Sequence, residues 1–529
     1  MRPGALLVLT TFALAVDAVA AVAQQADARP VRKRTVYEDL QMFSQVLNQI
    51  RVNHPDSVDT HELLMAAVRG MVQAADPHSY VIPAIRLEPG KETALRDGKL
   101  HPVPIAFTFV GGAPVVVSLE PRARAAGLDV LPGDELIAID GKPVAAESAE
   151  ELEITLAGPR GTPVALTFER RRPDGSLVRL ARAVKRERPE QESGVPAAFL
   201  LDATTGYVRI TTFATSKVAD ELHTALGALE KGGMQRLILD LRDNGGGRVD
   251  QAADVAGEFL PKGAVLYSTA GRKAEVGDTV RVKRSFWRSE RRYPVVVLVN
   301  EGTASASELV AGALQDHDRA LVAGRPSFGK SLLMQGFPMA DGSVLVLVVG
   351  HAMTPCGRVV QRQYRAITRR EYYRLARAER DTVGRPSCKT TNGRTVYGGG
   401  GIYPDVAIAE PPSAPAWLAR VHEEAVVLAW VGGYLTSTGA RLTTPDALAA
   451  APTLPAQALT DFRAFASRQG IAIPSEPDAD AWLQRALVLR VAAAKWGDPG
   501  YYRVSAAVDP EITAATRSFD RALAILLGR

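Results

Sequence analysis

Between residues 35 and 75, apolar side chains recur at three- and four-residue spacing. Leu40, Phe43, Val46, Leu47 and Ile50 form one stripe; after Asp59-Thr60, Leu63, Leu64, Ala67, Val68 and Met71 form a second. That period predicts two amphipathic helices that bury an apolar face, ended by Asp76-Pro77. From residue 96 to 187 the runs shorten. Ile105–Val110, Val115–Leu119, Glu135–Ile139 and Val164–Arg170 read as strands between turn signals, with one short helix at Ala149–Leu156. This predicts a small barrel-like module. From 200 to 410, strand and helix alternate. Strands are expected at Gly206–Ile210, Arg236–Leu241, Pro294–Asn300 and Ala320–Ala323, and helices at Lys217–Leu229, Asp250–Leu260 and Ala306–Gln315. Such alternation implies an α/β core with a partly parallel sheet. The continuous apolar run Val344–Val349 reads as a further buried strand. After Glu410-Pro411-Pro412, residues 412–529 are Ala- and Leu-rich with helical periodicity.

Composition narrows the function. The chain has 529 residues, 46% hydrophobic and 23% charged, which is ordinary for a soluble globular protein. The net charge is +5 and the basic residues are dispersed, so no nucleic-acid role is indicated. At the start, Arg2, the apolar stretch Ala5–Ala15 and Ala21-Val22-Ala23 have the layout of a signal peptide with cleavage after residue 23. Asp17 interrupts the run and leaves too little to span a bilayer, so a periplasmic or secreted chain without a stable membrane span is expected. Two cysteines exclude a disulfide scaffold. In an oxidising compartment, Cys356 and Cys388 are expected to pair across the charged insertion Arg362–Arg380. Within the module, Arg124–Leu128, Pro132-Gly133-Asp134 and Ile139-Asp140-Gly141-Lys142-Pro143-Val144 resemble a PDZ domain, a fold that takes a peptide C-terminus as an added strand.

Candidate chemistry gathers in the α/β region. After the strand Val295–Asn300 come Gly302-Thr303-Ala304-Ser305-Ala306-Ser307-Glu308 and a helix. Strand, small-residue turn, serine, helix is a geometry that lifts a nucleophile to the end of a sheet, beside N–H groups that favour an oxyanion. Ser305-x-x-Glu308 equally fits a capping box, and Ser307 competes for either role. The eight histidines are scattered, without a triad motif. A lysine with a depressed pKa can serve as base instead, and Lys330, flanked by Phe328, Leu332 and Leu333, is the candidate. Gly324–Ser331 also matches the phosphate-binding pattern G-x-x-x-x-G-K-[ST], but Gly336, Pro338 and Asp341-Gly342 argue against the helix that motif needs. The run Leu237–Leu241 leads into Gly245-Gly246-Gly247, where backbone N–H groups can approach a ligand closely.

These segments resemble the carboxyl-terminal processing protease, or tail-specific protease, family. The resemblance is carried by Leu239-Asp240-Leu241-Arg242-x-Asn244-x-Gly246-Gly247, Ser305-Ala306-Ser307-Glu308, Phe328-Gly329-Lys330, Gly398–Ile402 with Pro404-Asp405, and Asp76-Pro77-His78-Ser79. It implies a multidomain α/β serine endopeptidase with a Ser305–Lys330 dyad and an oxyanion hole from the N–H groups of Gly246 and Ala306. It also implies an inserted PDZ-like β-barrel domain and helical N- and C-terminal segments. The expected division is 1–23 signal peptide, 24–95 N-terminal helical segment, 96–187 PDZ-like domain, 195–411 protease core and 412–529 C-terminal helical domain. Substrates would be proteins or peptides with accessible C-termini, bound at Val103, Ile105 and Phe107. An adaptor or activator and a homodimer are further expected partners; no cofactor or metal is expected. Two positions depart from the family. Met334 stands where a glutamine usually orients the lysine, so either Gln335, one residue on, takes that role through a local bulge or the dyad works without a third member. Pro104 removes an N–H from the carboxylate-binding loop. A non-catalytic, peptide-binding scaffold is the alternative that these departures support.

Overall fold

The computed structural model describes residues 35–82, 99–110, 113–119, 128–146, 149–171, 176–187, 193–283, 291–340, 343–364, 367, 369–423 and 426–529. The signal segment, Arg124–Gly127 and Asp341-Gly342 lie outside them. The chain divides into two compact units, residues 1–74 and 75–529.

In the first unit, helix Val36–Asn53 starts at a capping box, with Thr35 N–H donating to Glu38 Oε2 at 2.8 Å. Its apolar stripe, expected to be buried, is not: Leu40 is 57% exposed and Val46 54%. Periodicity decides which side chains share a helix face; burial requires a covering element, and no residue of this helix is buried.

The second unit is built on a six-stranded sheet. Its order is Val406–Ala407, Leu321–Gly324, Val295–Val299, Arg236–Asp240, Thr205–Arg209, Ala197–Leu200. All neighbours are parallel except the last pair. Both faces are therefore covered, as parallel sheets require. On one face, Leu237, Leu239, Val295 and Val297 pack with Leu222, Val255 and Val310 from the helices Val218–Lys231, Val249–Gly257 and Ala306–Asp316. On the other, Ile238, Val296, Leu298 and Leu321 meet Ile512, Ala515, Phe519 and Ala522 near the C-terminus. The helical C-terminal region thus completes the sheet's core.

A second sheet is antiparallel and centred on Val344–Met353, which pairs with Tyr80–Ile82, Val265–Gly271 and Leu332–Pro338. The run Val344–Val349 within it is expected to be buried, yet all of its residues are only half-buried. A run of apolar residues marks a strand, but not how many of its faces are covered.

Residues 99–187 hold a third, antiparallel sheet in the order Ile105–Val110, Ala113–Leu119, Glu135–Ile139, Pro163–Arg171, Leu177–Lys185. Leu136, Leu152, Leu166 and Phe168 form its core. Gly133, at φ +89°, presses this module onto the helix Val426–Leu435: a Cβ there would lie 2.5 Å from Ala429 Cα.

Cys356 and Cys388 are bonded, with Cα atoms 6.2 Å apart, and close a stretch that contains the helix Arg369–Ala378. A loop of 32 residues makes the bond worth about 3–4 kcal/mol by chain entropy. Replacing both cysteines by serine is expected to lower unfolding stability by about that amount. Urea titration of the oxidised protein and the variant checks this, and coincident curves would show that the bond contributes nothing.

Candidate active site

Two turns meet at the C-terminal ends of the parallel strands Arg236–Asp240 and Val295–Val299, where Asp240 lies beside Leu298. Hydrogen bonds sew them together. Ala304 N–H and Ser307 Oγ both donate to the Asn244 carbonyl, at 2.9 and 3.0 Å. Thr303 Oγ1 donates to the Leu241 carbonyl at 2.8 Å, and Asp243 N–H to Asn300 Oδ1 at 2.8 Å. Gly246 sits against the serine turn: at φ +97°, a Cβ on it would lie 2.9 Å from both Ser305 Cβ and Ala306 N. Only glycine allows that backbone conformation and that approach together.

Ser305 begins the helix Ala306–Asp316 with φ 57° and ψ −119°. A serine held at positive φ on a strand-to-helix turn is strained, and such strain is characteristic of functional positions. Ser305 is partly exposed, whereas Ser307 is fully buried and donates to a backbone carbonyl. The two serines, equivalent in sequence, thus differ in access. Ala306 is the first helical residue, so its N–H has no partner within the helix. The Gly246 N–H donates to Asn244 Oδ1 at 2.9 Å, an Asx-type turn that occupies the second expected oxyanion donor.

Glu308 is the centre of this site. Its side chain is completely buried and accepts four hydrogen bonds. Ser305 N–H donates to Oε2 at 2.9 Å and Lys330 N–H to the same oxygen at 2.8 Å. Gly329 N–H donates to Oε1 at 2.8 Å, and Ser327 Oγ donates to Oε1. One carboxyl group therefore fixes the backbone of the serine turn to the backbone of the lysine loop. Burial pushes the Glu308 pKa up to about 7, while the bonds from Ser327, Lys330, Gly329 and Ser305 pull it back. Lys330 itself is half-buried, next to buried Leu332.

An ion network braces these turns from behind. Asp240 is fully buried; burial alone would raise its pKa, but Arg242 and Arg209 hold it well below the ordinary carboxylate range. Arg242 also donates to Glu511 Oε2 at 2.7 Å and Asp509 Oδ2 at 2.9 Å. Glu511 pairs in turn with Arg325, which holds Glu301 at 2.9 Å. The helix Pro510–Thr516 thus tethers the glycine turn, the serine turn and the approach to the lysine loop.

The model of peptidase family S41 matches residues 204–368, the stretch that holds both turns and the lysine loop. A carboxy-terminal-processing protease of Bartonella bacilliformis is 31% identical over 334 residues, covering 62% of this chain and 74% of that protein. The chain belongs to the carboxy-terminal-processing protease family. It is a serine-type peptidase that acts on proteins. The chloroplastic carboxyl-terminal-processing peptidase 2 of Arabidopsis thaliana is 33% identical over 313 residues, 57% of this chain and 59% of its own length. A solved photosystem II D1 C-terminal processing protease is 25% identical, with 73% of this chain and 90% of that one covered and a TM-score of 0.34.

For this processing protease, the other expected site residues are placed as follows. Gln335 lies on the strand Leu332–Pro338; a register shift does occur between Leu333 and Met334, but Gln335 is exposed and Met334 half-buried. The Val103 and Ile105 side chains are buried in the core of the 99–187 module, and Phe107 packs against it. Among the described strands, Ile105–Val110 is the edge of its sheet. The stretch Gly324–Ser331 runs into a strand, which the phosphate-binding motif forbids. Among the described residues, one group has metal-ligand spacing, Asp316 with Cys356 and Cys388, and both its sulfurs are committed to the disulfide. Among the described residues, no helix is long and apolar enough to cross a membrane.

Five side chains that hold these turns were not among the expected site residues. Glu308 read as a cap; the missed signal was a carboxylate inside a helix that is otherwise nearly all small or apolar. Asp509 and Glu511 read only as a helix start, and nothing local linked them to Arg242. Gln361 just precedes and Tyr372 lies within the charged insertion Arg362–Arg380, which has no recognisable motif.

Proposed function

We propose that this serine peptidase is an endopeptidase of the extracytoplasmic space, with Ser305 as nucleophile and Lys330 as general base. The observation that carries the reading is Glu308, which hydrogen-bonds the backbones of both residues at 2.9 and 2.8 Å. In this mechanism, neutral Lys330 takes the Ser305 proton as Oγ attacks the scissile carbonyl. The tetrahedral oxyanion is held by the Ala306 N–H and by the Gly246 N–H once Asn244 Oδ1 releases it. Lys330 then gives its proton to the leaving amine, and water hydrolyses the acyl-enzyme. The 99–187 module acts as a PDZ domain: a substrate C-terminus adds to the Ile105–Val110 edge, and Pro104, lacking an N–H, weakens capture of the terminal carboxylate. The apolar N-terminal stretch and the disulfide support export, and an adaptor or a second copy of the chain belongs to the same reading.

Covalent labelling tests the nucleophile. A fluorophosphonate is expected to add to the tryptic peptide that holds Ser305, at that residue, and to leave Ser305→Ala unmodified. Adduct on another serine, Ser307 included, would overturn the assignment.

A further inference from the structure

The loop that carries Lys330 is held at nearly every peptide group, and half of the grip comes from outside the motifs that carry the family resemblance. Thr303 O accepts from Phe328 N–H at 2.9 Å, and Glu308 takes the N–H groups of Gly329 and Lys330. The opposite side belongs to the stretch between Cys356 and Cys388. The Gly329 carbonyl accepts from Tyr372 Oη at 2.7 Å and from Arg362 N–H at 2.9 Å. The Ser331 N–H donates to Gln361 Oε1 at 3.0 Å. Gln361 Nε2 donates to Tyr372 Oη at 3.0 Å, so the two side chains form one unit that grips the residues on both sides of Lys330.

That unit is buried and rigidly backed. Tyr372 has no exposed surface and Gln361 is 8% exposed. The tyrosine ring lies edge-on to His78, with centroids 4.6 Å apart, and packs on Phe328 at 5.5 Å. His78 is fixed by its own turn, where Asp76 Oδ1 accepts its N–H at 2.7 Å. Tyr372 sits on the helix Arg369–Ala378, inside the stretch closed by Cys356–Cys388. Surface loops are normally free to vary; this one spends a buried tyrosine and glutamine on a catalytic loop.

We infer that Gln361 and Tyr372 are positioning residues for Lys330, clamping the peptide groups on either side of it so that its amine meets Ser305 in a reactive geometry. The inference rests on Lys330 being the base. Neither residue touches substrate; each acts through the loop. Displacing a reacting group by about 1 Å lowers the rate steeply while leaving substrate binding intact.

The test is Tyr372→Phe, which removes one oxygen and keeps the ring against Phe328 and His78. With casein as substrate, kcat is expected to fall about tenfold or more, with KM within about twofold and the melting temperature little changed. Gln361→Leu, which removes the acceptor of the Ser331 N–H, is expected to give the same kcat-only loss. Gln361→Glu keeps an acceptor oxygen and is expected to retain more activity than Gln361→Leu. Unchanged kcat in folded Tyr372→Phe, or a loss confined to KM, overturns the clamp. Should Tyr372→Phe melt early, the Gln361→Leu and Gln361→Glu pair decides by the same criteria. Lys330→Ala, assayed in parallel, separates the two readings: if it cleaves casein like the wild type, the base assignment fails; if it is inactive while Tyr372→Phe is wild-type, only the clamp fails.

Discussion

Lys330→Ala is expected to lower kcat for casein hydrolysis by about 10³- to 10⁴-fold, with KM within about threefold. A serine hydroxyl is a poor nucleophile until its proton has somewhere to go. Among the residues tied to the serine turn, Lys330 offers an amine that can accept it. Ser305→Ala should lose as much, and the double variant little more, because the two groups act as one unit. Lys330→Arg is the sharper control. It keeps positive charge and length, but a guanidinium stays protonated at any working pH and cannot serve as base. Arginine should therefore be as inactive as alanine. If Lys330→Arg retains activity within about tenfold of wild type, lysine contributes charge rather than proton transfer, and the dyad fails.

Glu308→Gln is expected to lower kcat by about 10²-fold, the second-largest effect. Each Glu308 oxygen accepts two donors. An amide has one acceptor oxygen, so its NH₂ group must face either the Ser305 and Lys330 N–H groups or that of Gly329. Each buried N–H left without an acceptor costs about 1–3 kcal/mol, and the backbone relieves it by moving apart. That movement separates the serine from the lysine. Kinetics with a melting curve would check it; kcat within threefold of wild type would sink the role.

The same residue predicts a pH dependence. With its folded pKa raised to about 7 by burial, Glu308 binds a proton more readily folded than unfolded. Its contribution to stability is thus full below the ordinary glutamate range and is lost as pH rises through about 7. Activity runs the other way: protonation takes an acceptor from the N–H groups, so kcat should fall as pH drops through about 7, and Glu308→Gln should flatten that limb. An unchanged limb in the variant would assign it to another group.

Part of the candidate site was legible locally: a strand, a small-residue turn and a serine before a helix point to Ser305 or Ser307, and a strand running into three glycines points to the turn at Gly246. Lys330, and the roles given to Ser305 and Gly246, came from the family resemblance, because a lysine in a turn has many ordinary uses. By residue pattern alone Ser307 competes with Ser305; the resemblance favoured Ser305, and the fold exposes Ser305 while it buries Ser307. Gln335 was read as the stand-in for the family glutamine whose position Met334 occupies; its side chain is exposed. Gln361, Tyr372, Asp509 and Glu511 were invisible, because each acts on a residue that only the folded chain brings near.

What the sequence determined by itself is the set of elements and the reaction class. Periodicity marks strands and helices because burial follows the 2.0 and 3.6 repeats, and local turn chemistry marks where a nucleophile can be raised. What only the tertiary structure decided is which polar groups pay no penalty for burial. A carboxylate such as Glu308 or Glu511 inside the protein must be met by donors, and those donors come from segments as much as 269 residues apart, as Arg242 and Glu511 do. Such pairing is a property of three-dimensional proximity, and no local pattern encodes it.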